Sequence, residues 1–244
     1  MNKKLNVLGV GVDTFDMCGS VKFLTDAFSK DGMTKVYTPN SEILLHAYKN
    51  QDYADVLNRA ELVTADGIGV VYASKILGSS LPERVSGFDL ANELLKTCAP
   101  LQKSVYLFGS KPGVAEAAAE KIVSLYPGIK IAGTKDGYFD AEKEKEIIAD
   151  INEKAPDILF VCLGFPKQEY WIDAHSDLNA KIAMGLGGSL DVFAGTVKRA
   201  PKFYQKLGIE WLYRLIKQPS RFMRMLALPK FGFTVLLHGK KFLK

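Results

Sequence analysis

Asp157-Ile158-Leu159-Phe160-Val161-Cys162-Leu163, running into Gly164-Phe165-Pro166-Lys167-Gln168-Glu169, decides the fold. An apolar run without polar alternation fits a strand buried on both faces, as a parallel sheet requires. Gly164 and Pro166 then stop the run. Three polar residues crowd the first turn of the helix that follows. A buried strand passing through a short turn into a helix is half of a parallel α/β unit.

The same grammar recurs on either side. Leu5 to Val10 reads as a strand and Val21 to Phe28 as a helix. Lys35-Val36-Tyr37 is a short strand leading to Thr38-Pro39-Asn40-Ser41. Ile43, Leu44, Ala47 and Tyr48 then recur at helical spacing, with Asn40 or Ser41 suited to cap. Glu61 to Thr64 is a strand ending at Ala65-Asp66-Gly67-Ile68-Gly69, before a helix from Val70 to Leu77. Helices over Phe88–Cys98, Val114–Leu125 and Ala141–Glu153 alternate with strands over Ser104–Phe108 and Ile129–Ala132, with Gly133 to Phe139 as a loop. Lys181 to Met184 is a last strand before the turn Gly185-Leu186-Gly187-Gly188-Ser189. The expected fold is a largely parallel, Rossmann-like α/β sheet with helices on both faces, carrying a helical, basic C-terminal appendage. The boundaries are 1–195 for the core and 196–244 for the appendage.

Composition narrows the function classes. The 244 residues are 48% hydrophobic and 24% charged, ordinary for a globular protein. Cys18, Cys98 and Cys162 are far apart and read as reduced thiols of a cytosolic protein. His46, His175 and His238 have no metal-ligand spacing, and no Asp-x-Asp occurs to grip a metal-bound nucleotide diphosphate. The basic start Met1-Asn2-Lys3-Lys4 precedes an apolar run too short and too Gly-interrupted for a signal peptide. No stretch reaches the ~18 apolar residues of a membrane span.

The net charge of +5 is unevenly spread. Residues 196–244 carry twelve Lys and Arg against Glu210 alone, +11, so residues 1–195 carry −6. Within the appendage, Leu207, Trp211, Leu212, Leu215 and Ile216 fall on one helical face and Arg214, Lys217, Arg221 and Arg224 on another, with Pro219 splitting the run. Basic, aromatic-rich, amphipathic and too short to span describes a helix lying on an anionic membrane. Nucleic acid is the competing polyanion.

Four polar constellations fall at carboxyl ends of strands, where open α/β sheets place their chemistry. Asp66 is either a general base or the cap of the helix after it. Thr38 and Asn40 are ligand contacts or turn and cap groups. Gln168, with Lys167 and Glu169, lines the same edge or is a solvated first turn. Gly185 to Asp191 could bring backbone N–H groups to a phosphate, although such turns also occur without ligands. Gly109-Ser110-Lys111-Pro112-Gly113 lacks the ending of a P-loop.

Three segments then carry a specific resemblance: Val161 to Glu169, Gly185 to Phe193, and Ala194 to Pro201 continuing through Leu207 to Leu215. Together with Thr38-Pro39-Asn40 and Ala65-Asp66-Gly67, they resemble the TagA/WecG/CpsF glycosyltransferases over nearly the whole chain. The resemblance implies transfer of N-acetylmannosamine from its UDP donor (UDP-ManNAc) to N-acetylglucosamine on undecaprenyl diphosphate, in wall teichoic acid linkage-unit synthesis. It implies inversion at the anomeric carbon with no metal and no other cofactor. Asp66 is then the base, and Thr38, Asn40, Arg84 and Gln168 match the family's polar pocket. Gly187, Asp191 and Tyr138 are candidates for the nucleotide end. Arg214, Arg221 and Arg224 are suited to stabilise the leaving diphosphate if the appendage folds over the pocket, and to dock on the anionic inner leaflet. The expected location is cytoplasmic, on the inner face of the cell membrane, with a homo-oligomer as a further expectation and no nucleic acid as partner. The alternatives are the sister-branch transferase of the uronic acid, a dinucleotide-dependent oxidoreductase suggested by the Gly-rich turns, and a nucleic-acid binder.

Overall fold

A computed structural model describes residues 3–206, 208–217, 219 and 222–243, apart from the side chains of residues 206 and 214. Among the described residues, six strands form one parallel sheet in the order β4-β3-β8-β7-β5-β6. These are β3 (Thr34–Tyr37), β4 (Leu62–Val63), β5 (Ser104–Gly109), β6 (Lys130–Lys135), β7 (Ile158–Cys162) and β8 (Ile182–Gly185). The Asp157 run supplies β7, which is buried along its whole length. Side-chain alternation along the strands divides the core into two layers. Tyr37, Val63, Tyr106, Phe108, Leu159, Val161 and Ala183 face one layer. Val36, Leu62, Val105, Leu107, Ile158, Phe160, Cys162, Ile182 and Met184 face the other.

Helices cover both layers. On the first lie α2 (Ser41–Lys49), α3 (Gln51–Asn58), α4 (Ile68–Ile76), α7 (Ala141–Lys154) and α8 (Lys167–Ala174). On the second lie α1 (Met17–Ala27), α5 (Gly87–Cys98), α6 (Val114–Leu125) and α9 (Ser189–Phe193). The appendage forms α10 (Lys202–Lys206), α11 (Glu210–Lys217), α12 (Phe222–Met225) and α13 (Ala227–His238). Its Phe231 and Val235 are buried and join the first layer.

Three elements differ from the sequence reading. Leu5 to Val10 is not one strand: Leu8 and Gly9 take positive φ and turn the chain into an antiparallel hairpin, β1 (Lys4–Val7) with β2 (Val10–Asp13). That hairpin meets the sheet at edge strand β4, where Val63 N–H donates to Asp13 Oδ2 at 2.8 Å. β6 runs on to Lys135, through what reads as a loop. A separate helix, α3, is capped by Asn50, whose side chain accepts from Tyr53 N–H.

The topology also locates a crevice. The chain leaves β5 for its neighbour β6 and leaves β7 for its other neighbour β8. Connections therefore diverge between β5 and β7, and ligands of open α/β sheets bind at such a switch point.

Candidate active site

The sequence-predicted residues gather at the carboxyl edge of the sheet in two clusters joined by the turn after β8. The first lies past β3 and β4. Thr38 Oγ1 donates to the Gly185 carbonyl at 3.3 Å, tying the β3 end to the β8 end. Asn40 caps α2, its Oδ1 accepting from Glu42 N–H and Ile43 N–H at 2.9 and 3.1 Å. Asp66 does not cap the helix after it. That N-cap is Gly67, at φ +116°, and makes no side-chain cap bond. The Asp66 carboxylate instead accepts from Gly87 N–H, at the start of α5, through Oδ2 at 3.3 Å. Gly87 is held close: a Cβ there would come within 2.6 Å of Thr38 Oγ1. Thr38, Asp66 and the start of α5 therefore form one packed corner.

Arg84 stands beside that corner, its side chain 20% exposed. Its Nη1 donates to Glu210 Oε1 at 2.6 Å and its Nη2 to Asp89 Oδ2 at 3.4 Å. Burial alone would lower the guanidinium pKa. The Glu210 hydrogen bond and the charges of Glu210, Asp66 and Asp89 outweigh it and hold the pKa above its ordinary value.

The second cluster lines a cavity of about 650 Å³ at the β5/β7 switch point, a volume suited to a small-molecule ligand. Ser110, Lys111, Tyr138, Asp140, Lys143, Lys167 and Asp191 are among its walls. Ser110 Oγ donates to Asp191 Oδ2 at 2.9 Å. Tyr138 is 64% exposed and free to offer a ring face. Lys111, Lys143 and Lys167 supply positive charge beside two carboxylates. Sequence reasoning did not assemble these lysines, because three different loops and helices bring them together.

Between the clusters lies the turn at Gly187, which takes φ +54° with open space where a Cβ would be. Gln168 supports that turn from below. It is 4% exposed; its Oε1 accepts from Gly187 N–H at 2.8 Å and its Nε2 donates to Glu169 Oε1 at 2.7 Å. The first turn of α8 is thus not a solvated one: Gln168 and Glu169 point into the core.

Glu169 is 1% exposed, and burial pushes its pKa up from 4.5. Among the described residues, its Oε2 and the Tyr53 hydroxyl are the buried side-chain polar atoms without a closed hydrogen bond. The two lie close enough for each to move the other's pKa. The folded state therefore holds this proton to higher pH than the unfolded chain does. By linkage, Glu169 lowers stability progressively as pH rises from the ordinary carboxylate range through its folded pKa. Glu169→Gln, which imitates the neutral acid, is expected to gain melting temperature relative to the parent protein as pH rises above the ordinary carboxylate range. A melting-temperature gap that stays constant as pH rises would contradict the assignment.

Of the appendage arginines, Arg224 forms a two-pronged pair with Glu42, its Nε on Oε1 and its Nη2 on Oε2, both at 2.9 Å. Glu42 sits in the first turn of α2, two residues past Asn40. Arg224 thus reaches the edge of the Thr38–Asp66 corner. Arg221 lies outside the described residues, and so does the side chain of Arg214, whose backbone belongs to α11. The cysteines Cys98 and Cys162 are buried, which pushes their thiols up to about 11 and about 12.

A parallel α/β sheet with a carboxylate corner and a cation-lined crevice on one edge places its polar side chains where open α/β sheets bind their ligands. Residues 5–243 match the model of the glycosyl transferase WecG/TagA/CpsF family, and the chain belongs to that family, as a glycosyltransferase. It is similar to proteins named N-acetylglucosaminyldiphosphoundecaprenol N-acetyl-beta-D-mannosaminyltransferase. The one from Bacillus subtilis (strain 168) is 43% identical over 84% of this chain and 80% of its own length. That from Bacillus spizizenii is 41% identical over 84% and 79%. That from Staphylococcus aureus (strain MRSA252) is 37% identical over 99% and 95%. Membership in a glycosyltransferase family leaves the oxidoreductase reading of the Gly-rich turns without support.

Proposed function

We propose that this chain transfers N-acetylmannosamine from UDP-N-acetylmannosamine to N-acetylglucosamine carried on undecaprenyl diphosphate, the linkage-unit step of wall teichoic acid synthesis. The relatives' names state this sugar and this acceptor. The observation that carries the mechanism is the position of Asp66: half-buried at the end of β4, not capping its helix, and packed among Thr38, Gly87 and Arg84.

The chemistry is a single displacement with inversion. Asp66 takes the proton of the acceptor hydroxyl, whose oxygen forms the new bond to the anomeric carbon. The bond from that carbon to the UDP oxygen breaks on the opposite face. Charge develops on the departing diphosphate and calls for fixed positive partners. Lys111, Lys143 and Lys167 line the crevice proposed for UDP, with Tyr138 and Asp191 at hand for the uridine; Gly187 lies in the turn that leads into α9, the helix of Asp191. These cations support a reaction that needs no metal. Thr38, Asn40 and Arg84 position the sugars and phosphates.

The acceptor is a membrane lipid, and the appendage suits a membrane surface. Phe203, Ile216, Phe222, Met223, Phe233, Leu236 and Leu237 are exposed among exposed lysines. No helix among the described residues is long and apolar enough to cross a membrane. Such a surface fits peripheral docking on the anionic inner face of the cell membrane. Self-association is a second way to cover so much exposed apolar surface.

A panel of UDP-sugars with a short-chain lipid-diphosphate N-acetylglucosamine acceptor, run with and without EDTA, tests this reading. Transfer from UDP-N-acetylmannosamine at an unchanged rate in EDTA is expected. Turnover confined to the uronic acid donor, or lost in EDTA, would overturn it.

A further inference from the structure

The appendage has one acidic residue, Glu210, among twelve basic ones. That carboxylate is 9% exposed and faces the core. Its Oε1 accepts from Arg84 Nη1 at 2.6 Å, and its Oε2 lies 3.9 Å from Arg199 Nε. Asp89 closes the circuit from the other side. Its Oδ1 is 2.7 Å from Arg199 Nη1, and its Oδ2 accepts from Arg199 Nη2 at 2.8 Å and lies 3.4 Å from Arg84 Nη2. Two guanidinium groups and two carboxylates thus alternate in a ring of zero net charge. The segment before α5, the first turn of α5 itself, the linker at Arg199 and the first residue of α11 each contribute one member.

The ring adjoins the reacting corner. Ser86 caps α5 and its Oγ donates to Asp89 Oδ2 at 2.5 Å. The next residue, Gly87, donates its N–H to Asp66. Arg199 lies over the Phe88 ring at 4.9 Å, which fixes the plane of its guanidinium. A guanidinium has five N–H donors in a rigid fork. Glu210 and Asp89 engage Nη1 and Nη2 of Arg84, which leaves Nε and further N–H groups for an anion. Without Glu210, Arg84 would stand on a loop with only a long contact to Asp89 to choose its rotamer.

We infer that Glu210 is a positioning residue, which aims Arg84 at the reacting groups by completing this ring. The inference rests on the transferase reading. A partly buried ring of this kind suits the task, because removing one member leaves an uncompensated charge. A misplacement of about 1 Å at a positioning group costs on the order of 10²-fold in rate.

The test uses the full chain with Glu210→Gln, Arg84→Lys, the two combined, and Arg199→Gln. Each is assayed for kcat, for KM of the UDP-sugar and for the rate of trypsin cleavage at Lys202 and Lys206. Glu210→Gln keeps the shape and is expected to leave cleavage unchanged while lowering kcat on the order of 10²-fold, with KM for the UDP-sugar within a few-fold. The double variant is expected to be no worse than Arg84→Lys, since both act through one guanidinium. Arg199→Gln is expected to lower kcat in the same direction, by less. Parent-level kcat for Glu210→Gln, losses that multiply in the double variant, or a loss that only tracks faster cleavage would each overturn the inference. A parent protein that transfers no sugar would instead overturn the transferase reading on which the inference rests.

Discussion

Asp66→Asn is expected to abolish sugar transfer while leaving the UDP-sugar bound. The replacement keeps the size of the side chain and an oxygen for the Gly87 N–H, so the corner with Thr38 and Gly87 stays packed. Gly67, not Asp66, caps α4, so no helix loses its cap. What is lost is the group that accepts the hydroxyl proton. Loss of a positioned general base costs about 10²–10⁴-fold in rate. The crevice proposed for UDP, whose walls include Ser110, Lys143 and Asp191, opens at the β5/β7 switch point, at the other end of the edge from β4. Titration calorimetry with UDP should therefore match the parent protein, while turnover with the lipid acceptor falls to background. Retained turnover would remove Asp66 as the base. Joint loss of binding and turnover would make it a substrate-binding group.

The sheet was legible because burial on both faces leaves a simple mark. β7 and β5 are apolar runs with glycine at or just past their ends, and little else fits them. The hairpin was not, because its turn residues Leu8 and Gly9 continue an apolar run, and only positive φ at both reveals the reversal. Asp66 stood out as a carboxylate beyond a strand, but spacing could not say whether it caps a helix. That depends on the backbone path through Gly67. The crevice lysines were individually visible and collectively hidden, since Lys111, Lys143 and Lys167 meet only through the order of the strands. Glu210 had a signal in the sequence, as the one acid in a basic segment. Its partner could not be read, because Arg84 lies 126 residues away. Glu169 misled for a different reason: an acid in the first turn of a helix is ordinarily solvated, and only its burial of all but 1% shows otherwise.

Deletion of residues 196–244 is expected to lower transfer by on the order of 10²-fold or more, with the α/β sheet still folded. None of the six strands of the main sheet lies beyond Gly185, and both core layers are built mainly from residues before 196. The deletion nevertheless removes three attachments to the reacting edge. Glu210 leaves Arg84, Arg199 leaves Asp89, and Arg224 leaves Glu42 beside Asn40. It also uncovers the face of α2 and α4 against which Phe231 and Val235 are buried. Loss of a buried Phe side chain alone costs about 3–5 kcal/mol. The point variant Phe231→Ala therefore serves as a milder form of the same experiment, unseating α13 while keeping every charge. Phe231→Ala should keep the parent's far-ultraviolet circular dichroism, the deletion should lose only the helical signal of α10 to α13, both should bind UDP like the parent, and turnover should fall in the order parent, Phe231→Ala, deletion. If the truncated core turns over lipid acceptor at the parent rate, the appendage contributes neither to the site nor to its approach to the membrane. If turnover of the truncated core recovers with a water-soluble acceptor but not with a lipid one, the appendage acts through the membrane alone, and the ring around Arg84 is a fastening without catalytic consequence.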